Sequence, residues 1–422
     1  MNSLKLKLLH FLEGMTPLEI TEYIILTLMV VLLPFDWHPL LWLMTLLLLV
    51  VLVCMVKERH IGNHSLSSPA RWTLWLIVTY FLYQAISLTY STNIDQGINL
   101  LLRRFPLLLM PLLFLAADTS YLSRARLRNL MYAFTVSLIF KFFICLIIMF
   151  VCHRSNAFGS QFDPIHHAYI AMYLLLAMGF LYHEWLLLPT TTPRWQRTSL
   201  IIAELLLAIY VVMVASRSGI VIMALMFIAI VLHQIFTLKN IRQGLLTLIA
   251  GVAVATLTFA LLPSGTHRLA QTVIEASEGD KSDIRYTIYS SSLTAISRNL
   301  PFGVGIGDCN ETMMDIFDEV GGDDGDYCLQ SQFNSHNIYL DSALATGIPG
   351  LALLLALLIV PAVEALRRRD IIMLSFLLVF AISGMFEAIL NRSIGIYFFA
   401  LFAPLLLGAA KQDYSDARFN AL

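Results

Sequence analysis

Arg217, Arg285 and His336 are the side chains whose types and settings suit chemistry best in an otherwise apolar chain. A guanidinium can grip an anionic headgroup bidentately and stabilise its negative charge. An imidazole, with an ordinary pKa of about 6.5, suits a general base near neutral pH. Arg217 lies in Ala215-Ser216-Arg217-Ser218-Gly219, a turn of small residues between two apolar runs. An isolated arginine there is commonly an interfacial anchor; the small neighbours also let a ligand or a helix approach the backbone. Arg285 follows Asp283-Ile284 in the long polar stretch from Pro263 to His336. His336 stands where the chain returns to an apolar run through Asn337-Ile338-Tyr339-Leu340. A lone histidine there is either a structural hydrogen-bonding residue or a base.

Further polar groups belong to the same candidate set. Arg103 and Arg104 sit inside an apolar run, where a charge costs at least about 2.5 kcal/mol. They snorkel to headgroups or line a site for an anion, and Lys141 carries the same two readings. A second polar segment contains Asp163-Pro164-Ile165-His166-His167-Ala168-Tyr169, with His167 and Tyr169 as candidates. Asn337, Glu387, Asn391 and Arg392 complete the set. No metal site is expected. The paired histidines do not supply three or four convergent ligands, and Asp323-Asp324-Gly325-Asp326 does not fit the twelve-residue calcium loop.

The elements that must hold these residues are membrane helices. The chain has 422 residues, 58% hydrophobic and 13% charged, beyond the apolar share of soluble domains. The net charge of −1 carries no nucleic-acid signal. Spans need roughly 20 mostly apolar residues. The sequence offers about twelve, at 17–35, 37–56, 72–91, 97–117, 130–152, 168–189, 200–215, 220–236, 245–262, 348–366, 371–390 and 394–410. Isolated spans must be helical to satisfy their own backbone, so an all-α membrane protein is expected. The first run, preceded by no small-residue cleavage site, reads as an uncleaved span.

With the N-terminus inside, 17 of the 27 basic residues fall on the inner side, as the positive-inside bias requires. Both termini are then cytoplasmic. The expected organisation is spans 1–9 over residues 1–262, a large external loop over 263–347, spans 10–12 over 348–410, and a cytoplasmic tail over 411–422. Inside the loop, Tyr286, Tyr289, Leu293, Ile296 and Leu300 recur at helical spacing. They predict an amphipathic helix, started by Asp283 and closed by Pro301, with its stripe on the membrane or on the bundle. The run Pro301-Phe302-Gly303-Val304-Gly305-Ile306-Gly307 follows a helix. It therefore reads as a tight turn or close backbone approach and not as a phosphate loop. Residues 264–341 carry thirteen acidic and four basic side chains, most of them a solvated surface. Cys309 and Cys328 share this loop, where an oxidising compartment permits a disulfide.

Taken in order, Ser216-Arg217-Ser218-Gly219, Asp283-Ile284-Arg285, Pro301-Phe302-Gly303-Val304-Gly305, His336-Asn337-Ile338-Tyr339-Leu340 and Gly347-Ile348-Pro349-Gly350-Leu351 resemble the O-antigen ligase and polymerase superfamily of bacterial membrane glycosyltransferases. The resemblance covers roughly the last half of the chain and the His167–Tyr169 segment. It implies a C-type glycosyltransferase bundle in the bacterial inner membrane, with the large periplasmic loop between helices 9 and 10. It implies an undecaprenyl-diphosphate-linked glycan as donor and inversion at the anomeric carbon, without a cofactor. A ligase passes the glycan to a lipid A–core sugar; a polymerase passes it to another lipid-linked repeat. The family pattern places the catalytic base on His336 and the diphosphate on Arg217 and Arg285. The ligase branch is the expectation, with an O-antigen or exopolysaccharide polymerase as the alternative. A secondary transporter is the rival from another class; it predicts midplane polar residues and inverted repeats, of which only Lys141 fits.

Overall fold

The computed structural model describes residues 14–36, 38–58, 62–152, 158, 165–189, 191–214, 216–261 and 284–408. The side chains of Arg217 and of residues 254–255 and 257–261 lie outside that description, as does Asp283. All regular structure among the described residues is helical. The first half contains α1 (Pro17–Leu32), α2 (His38–Glu58), α3 (Ser68–Ser87), α4 (Ile94–Arg104), α5 (Pro106–Ala116), α6 (Arg124–Val151) and α7 (His167–Leu187). Then come α8 (Arg194–Val214), α9 (Arg217–Leu232) and α10 (Ile241–Leu261). The loop region holds α11 (Ile284–Arg298), α12 (Cys309–Val320) and α13 (Gly322–Ser331). The last three are α14 (Ile338–Arg368), α15 (Ile371–Ser383) and α16 (Ser393–Gly408).

Seven of these helices, α2, α3, α6, α7, α8, α9 and α14, are long and apolar enough to cross a membrane. The predicted span at 97–117 is instead a pair, α4 and α5, bent by 40°. Pro106 supplies no N–H to carry the ladder across, and Arg103 and Arg104 lie at that break. Counted as one span, the pair makes eight. Three further apolar stretches are shorter, Ile241–Ala253 within α10, α15 and α16, and α1 has 16 residues. Helix α7 is the most enclosed span, with 78% of its apolar window buried. Its Tyr173 stacks on Phe398 of α16 at 5.2 Å, and Phe134 of α6 meets Phe402 edge-on at 4.8 Å. Such ring pairs add to simple burial and fix α16 in the middle of the bundle. Lys141 is buried and donates from Nζ to the Pro34 carbonyl.

Helices α11, α12 and α13 form a second, smaller core. Ile288, Ala295, Met313, Ile316, Phe317 and Cys328 meet Leu344 and Ala345 of α14 there. The predicted amphipathic helix is present, but its packed face is not the predicted one. Thr287, Ile288, Ser291, Ser292 and Ala295 are buried. Tyr286, Leu293 and Leu300 are exposed, while Tyr289 and Ile296 are half-buried. Small residues let the helix approach its neighbours closely, and Ser292 donates its hydroxyl to the Ile288 carbonyl. Tyr289 and Ile296 of the stripe therefore pack against the core, while Tyr286, Leu293 and Leu300 do not. Cys309 and Cys328 are both free thiols in this core.

The glycine run makes the close approach expected of it. Gly303 and Gly305 have φ of +77° and +91°. A Cβ on Gly303 would stand 2.5 Å from the Leu344 carbonyl oxygen, and one on Gly305 would stand 2.2 Å from Ser91 Oγ. The run lies along α14, with Val304 and Gly305 donating to Leu344 and Ala345 at 2.9 Å each. Helix α14 itself breaks at Gly347, whose φ is +65°.

Candidate active site

The segment Gly384–Arg392, between α15 and α16, is where the candidate residues meet. The start of α14 is stitched to it. Asn337 caps α14, its Oδ1 accepting from Tyr339 N–H at 2.9 Å and Leu340 N–H at 3.1 Å. That satisfies donors that have no partner inside the helix. Its Nδ2 donates to the Met385 carbonyl at 3.2 Å, and Ile338 N–H donates to the Gly384 carbonyl at 2.8 Å. The Tyr339 hydroxyl donates to Ala381 at 2.8 Å.

His336 precedes this cap with a positive φ of 43°, a left-handed conformation uncommon for a residue with a side chain. The Asn334 side chain holds it, accepting from His336 N–H at 2.9 Å. His336 Nδ1 then stands 3.6 Å from Glu387 Oε2, and the Phe333 ring packs edge-on at 5.4 Å. His166 and Arg285 are the further cationic groups that face the Glu387 carboxylate.

Helix α11 reaches the same segment. The Tyr289 hydroxyl donates to the Met385 carbonyl at 2.8 Å. The Arg285 guanidinium lies over the Phe386 ring at 5.7 Å, a favourable cation–π distance. Helix α7 approaches from the other side. Its Tyr173 hydroxyl donates to the Ile394 carbonyl at 3.0 Å, and a Cβ on Gly395 would stand 2.9 Å from Tyr169 Cε1. Tyr169 is buried. The rings of His166 and His167 face each other at 3.8 Å. Burial lowers the His166 imidazole pKa, and the charges of Arg392 and His336 add to the lowering against the pull of Glu387. His166 Nδ1 is buried without a hydrogen-bond partner among the described residues.

Behind the segment, Arg104 is 2% exposed. Its Nε donates to the Leu390 carbonyl at 2.9 Å, and an Nη lies 3.3 Å from Asp341 Oδ2. The same Nη donates to Asn391 Oδ1, and Asn391 Nδ2 donates to Asp341 Oδ1 at 2.7 Å. The exposed Arg103 donates to the Asn391 carbonyl at 3.0 Å. The guanidinium of Arg104 is thus spent on holding the segment, as a buried charge requires.

The structure therefore gathers His336, Glu387, Arg285, Asn337 and Arg392 around one segment, with His167 and Tyr169 at its α7 side and Arg103 and Arg104 behind it. Arg217 is the first residue of α9; its side chain lies outside the described residues. Its turn is capped by Ser216, whose Oγ accepts from Gly219 N–H at 3.2 Å. A Cβ on Gly219 would stand 2.6 Å from Ala171 Cβ, so α9 begins against α7 just beyond Tyr169. His166 and Asp341 were not among the expected residues. His166 was legible as half of a histidine pair. Asp341 was legible as the next residue after the His336–Leu340 run. Among the described residues no three His, Cys, Asp or Glu side chains converge as a metal site.

Comparison with curated proteins yields no match to the chain. Comparison with protein families yields one over residues 202–355, the family described as O-antigen ligase. The matched stretch contains Arg217, Arg285, His336, Asn337 and Asp341. Residues 202–355 of the chain are thus similar to the family described as O-antigen ligase.

Proposed function

We propose that this membrane protein is an O-antigen ligase-like glycosyltransferase. It moves a polysaccharide from undecaprenyl diphosphate to a lipid A–core sugar hydroxyl at the periplasmic face of the bacterial inner membrane. The observation that carries the proposal is the convergence of one imidazole–carboxylate pair, His336 with Glu387, and the cation Arg285 on one segment. Arg392 adds a second positive charge there.

The chemistry follows from those groups. With Nδ1 facing Glu387, His336 keeps the Nε2 lone pair for the acceptor hydroxyl, and the carboxylate stabilises the imidazolium that forms. The acceptor oxygen, losing its proton to His336, attacks the anomeric carbon. The bond from that carbon to the diphosphate oxygen breaks, and its electron pair leaves with undecaprenyl diphosphate. Arg285, with Arg217 from the start of α9, binds that leaving group and stabilises its growing charge. Inversion is the outcome of this single displacement. The arginines supply the electrostatic role, so no cofactor is needed.

The proposed topology has twelve spans. Beyond the seven long helices and the bent pair, α1, α10, α15 and α16 cross as well, with both termini cytoplasmic. The reading is tested by replacing His336 or Arg285 with Ala in a strain lacking its own ligase, then resolving lipopolysaccharide by gel. Loss of polymer-bearing lipopolysaccharide, with long polymer retained on the lipid carrier, is the expected result. Accumulation of single repeats would assign the polymerase reaction instead, and unchanged lipopolysaccharide would refute the assigned roles.

A further inference from the structure

Two membrane helices fix the depth of the Leu300–Phe302 turn independently. Helix α14 breaks at Gly347, so its apolar arm runs from Ile348 to Arg368. At 1.5 Å per residue that arm is about 30 Å long, one hydrocarbon thickness. Arg367, Arg368 and Arg369 mark its inner end, so Ile348 lies at the outer hydrocarbon boundary. Ile348 N–H donates to the Pro301 carbonyl at 2.9 Å, which holds the turn at that level. The span Ser68–Tyr90 gives the second ruler. From the basic Arg71 to Tyr90 is again about 29 Å, and the Tyr90 hydroxyl donates to the Phe302 carbonyl at 2.9 Å.

Leu300, Phe302 and Ile348 are each more than half exposed, and Tyr90 is exposed beside them. Leu293 and Tyr286 continue the same face of α11 at seven-residue spacing, and both are also more than half exposed. The opposite face of α11 is the one packed in the small core. This apolar face is therefore continuous with the lipid-facing side of α14, where Leu355 and Ile359 are exposed. Aromatic residues at a hydrocarbon boundary are the ordinary membrane-interface belt, and an amphipathic helix beside them lies in the interface plane.

We infer that α11 and the Leu300–Phe302 turn are seated in the outer leaflet, with Tyr286, Leu293, Leu300 and Phe302 in the boundary between headgroups and acyl chains. The occupant of this face is lipid, and the helix is a monotopic platform attached to the spanning bundle. Arg285 precedes Tyr286 on α11, so the platform holds its guanidinium at headgroup depth. A diphosphate anchored by its own lipid tail meets Arg285 there without leaving the bilayer. The inference uses the sidedness adopted under the proposed function, and it concerns depth and not catalysis.

The test is site-directed spin labelling of the full chain in phosphatidylethanolamine–phosphatidylglycerol nanodiscs. Nitroxides are placed at Leu293→Cys, Phe302→Cys and, as an aqueous reference on α12, the exposed Asp318→Cys. The background carries Cys152→Ser, since Cys152 is an exposed thiol. Power saturation then compares collision with oxygen and with a water-soluble nickel chelate. The expected oxygen-to-chelate ratio at Leu293 and Phe302 is about tenfold above that at Asp318. A ratio equal to that of Asp318 would overturn the inference. So would exclusion of both probes with dipolar broadening between labels, which would make a second copy the occupant. Because the readout is depth alone, it stands or falls separately from the lipopolysaccharide assay that tests His336 and Arg285.

Discussion

Glu387 faces His336, and the titration of His166 beside them gives the site a pH dependence with a definite sign. Burial, helped by Arg392 and His336, holds His166 below its ordinary value of 6.5. The folded state thus favours its neutral form. That contribution is complete above about 6.5 and is lost as pH falls toward the folded value. The thermal midpoint of the purified protein should fall as pH drops from about 7 to about 5. His166→Gln, which cannot titrate, should flatten that fall, and an unaltered slope in the variant would remove His166 from the account. The buried pair Arg104–Asp341 gives a second prediction. Arg104→Met leaves Asp341 buried without its cation and should cost about 3–5 kcal/mol. Adding Asp341→Asn should recover part of the loss in thermal midpoint. Recovered stability and recovered glycan transfer together would mark Arg104 as a positioning residue; stability without transfer would mark it as a ligand of the substrate. His336 and Arg285 stood out in the sequence by their places beside apolar runs, where an anchor and a structural histidine are the alternatives. The Arg104 network was not legible, since its partners Asp341 and Leu390 lie more than 200 residues away.

At the scale of elements, the glycine run and α14 meet in a junction of backbone against backbone. A Cβ on Gly347 would stand 2.0 Å from the Pro301 carbonyl oxygen and 2.6 Å from Phe302 Cα. Both neighbours are backbone, so neither can rotate away. Gly347→Ala should therefore cost more than the roughly 1–3 kcal/mol of an alanine held in this glycine-only backbone region alone. Gly321 is the control, with φ of +57° and the Asp318 carbonyl oxygen as the nearest neighbour of such a Cβ, at 3.9 Å. Gly321→Ala should show the conformational cost only. Comparing the thermal midpoints of the two variants checks this, and equal losses would mean the junction yields more readily than its geometry says. The sequence pointed to a close approach here because alternating glycines have few other uses. It could not show what approaches, because Gly347 is some forty residues on. The helix over Ile284–Arg298 was likewise legible from its period, whereas its packed face was not. Apolar periodicity assumes that large residues face inward, and here Ser291, Ser292 and Ala295 do so, leaving the large ones for another surface.

For the whole molecule, the number of crossings decides whether the candidate residues share one compartment. Seven helices are long enough by themselves, and the short ones carry the count. Helix α15 has 13 residues, about 20 Å at 1.5 Å per residue, against a hydrocarbon thickness of about 30 Å. In the proposed topology the Gly384–Arg392 segment, which contains one 3-10 turn at Ile389–Asn391, makes up the difference. Its backbone polar groups are tolerable there because α14, α11 and α4 supply partners, as with Ile338, Asn337, Tyr289 and Arg104. If α15 crosses, its shortness and the gathering of groups around Glu387 belong together, because the span is then completed by a polar segment. Helix α10 is the decisive crossing for sidedness, because it separates the basic Lys239 and Arg242 from the region of α11 to α13. If it crosses, an exposed cysteine at Asn240 and one at Asp318 must lie on opposite sides. In spheroplasts carrying the Cys152→Ser background, a membrane-impermeant maleimide should modify Asp318→Cys directly and Asn240→Cys only after the membrane is opened. Modification of both from outside would place an even number of crossings between them. It would turn Arg285 and His336 away from the compartment of Arg217, and the shared site with them.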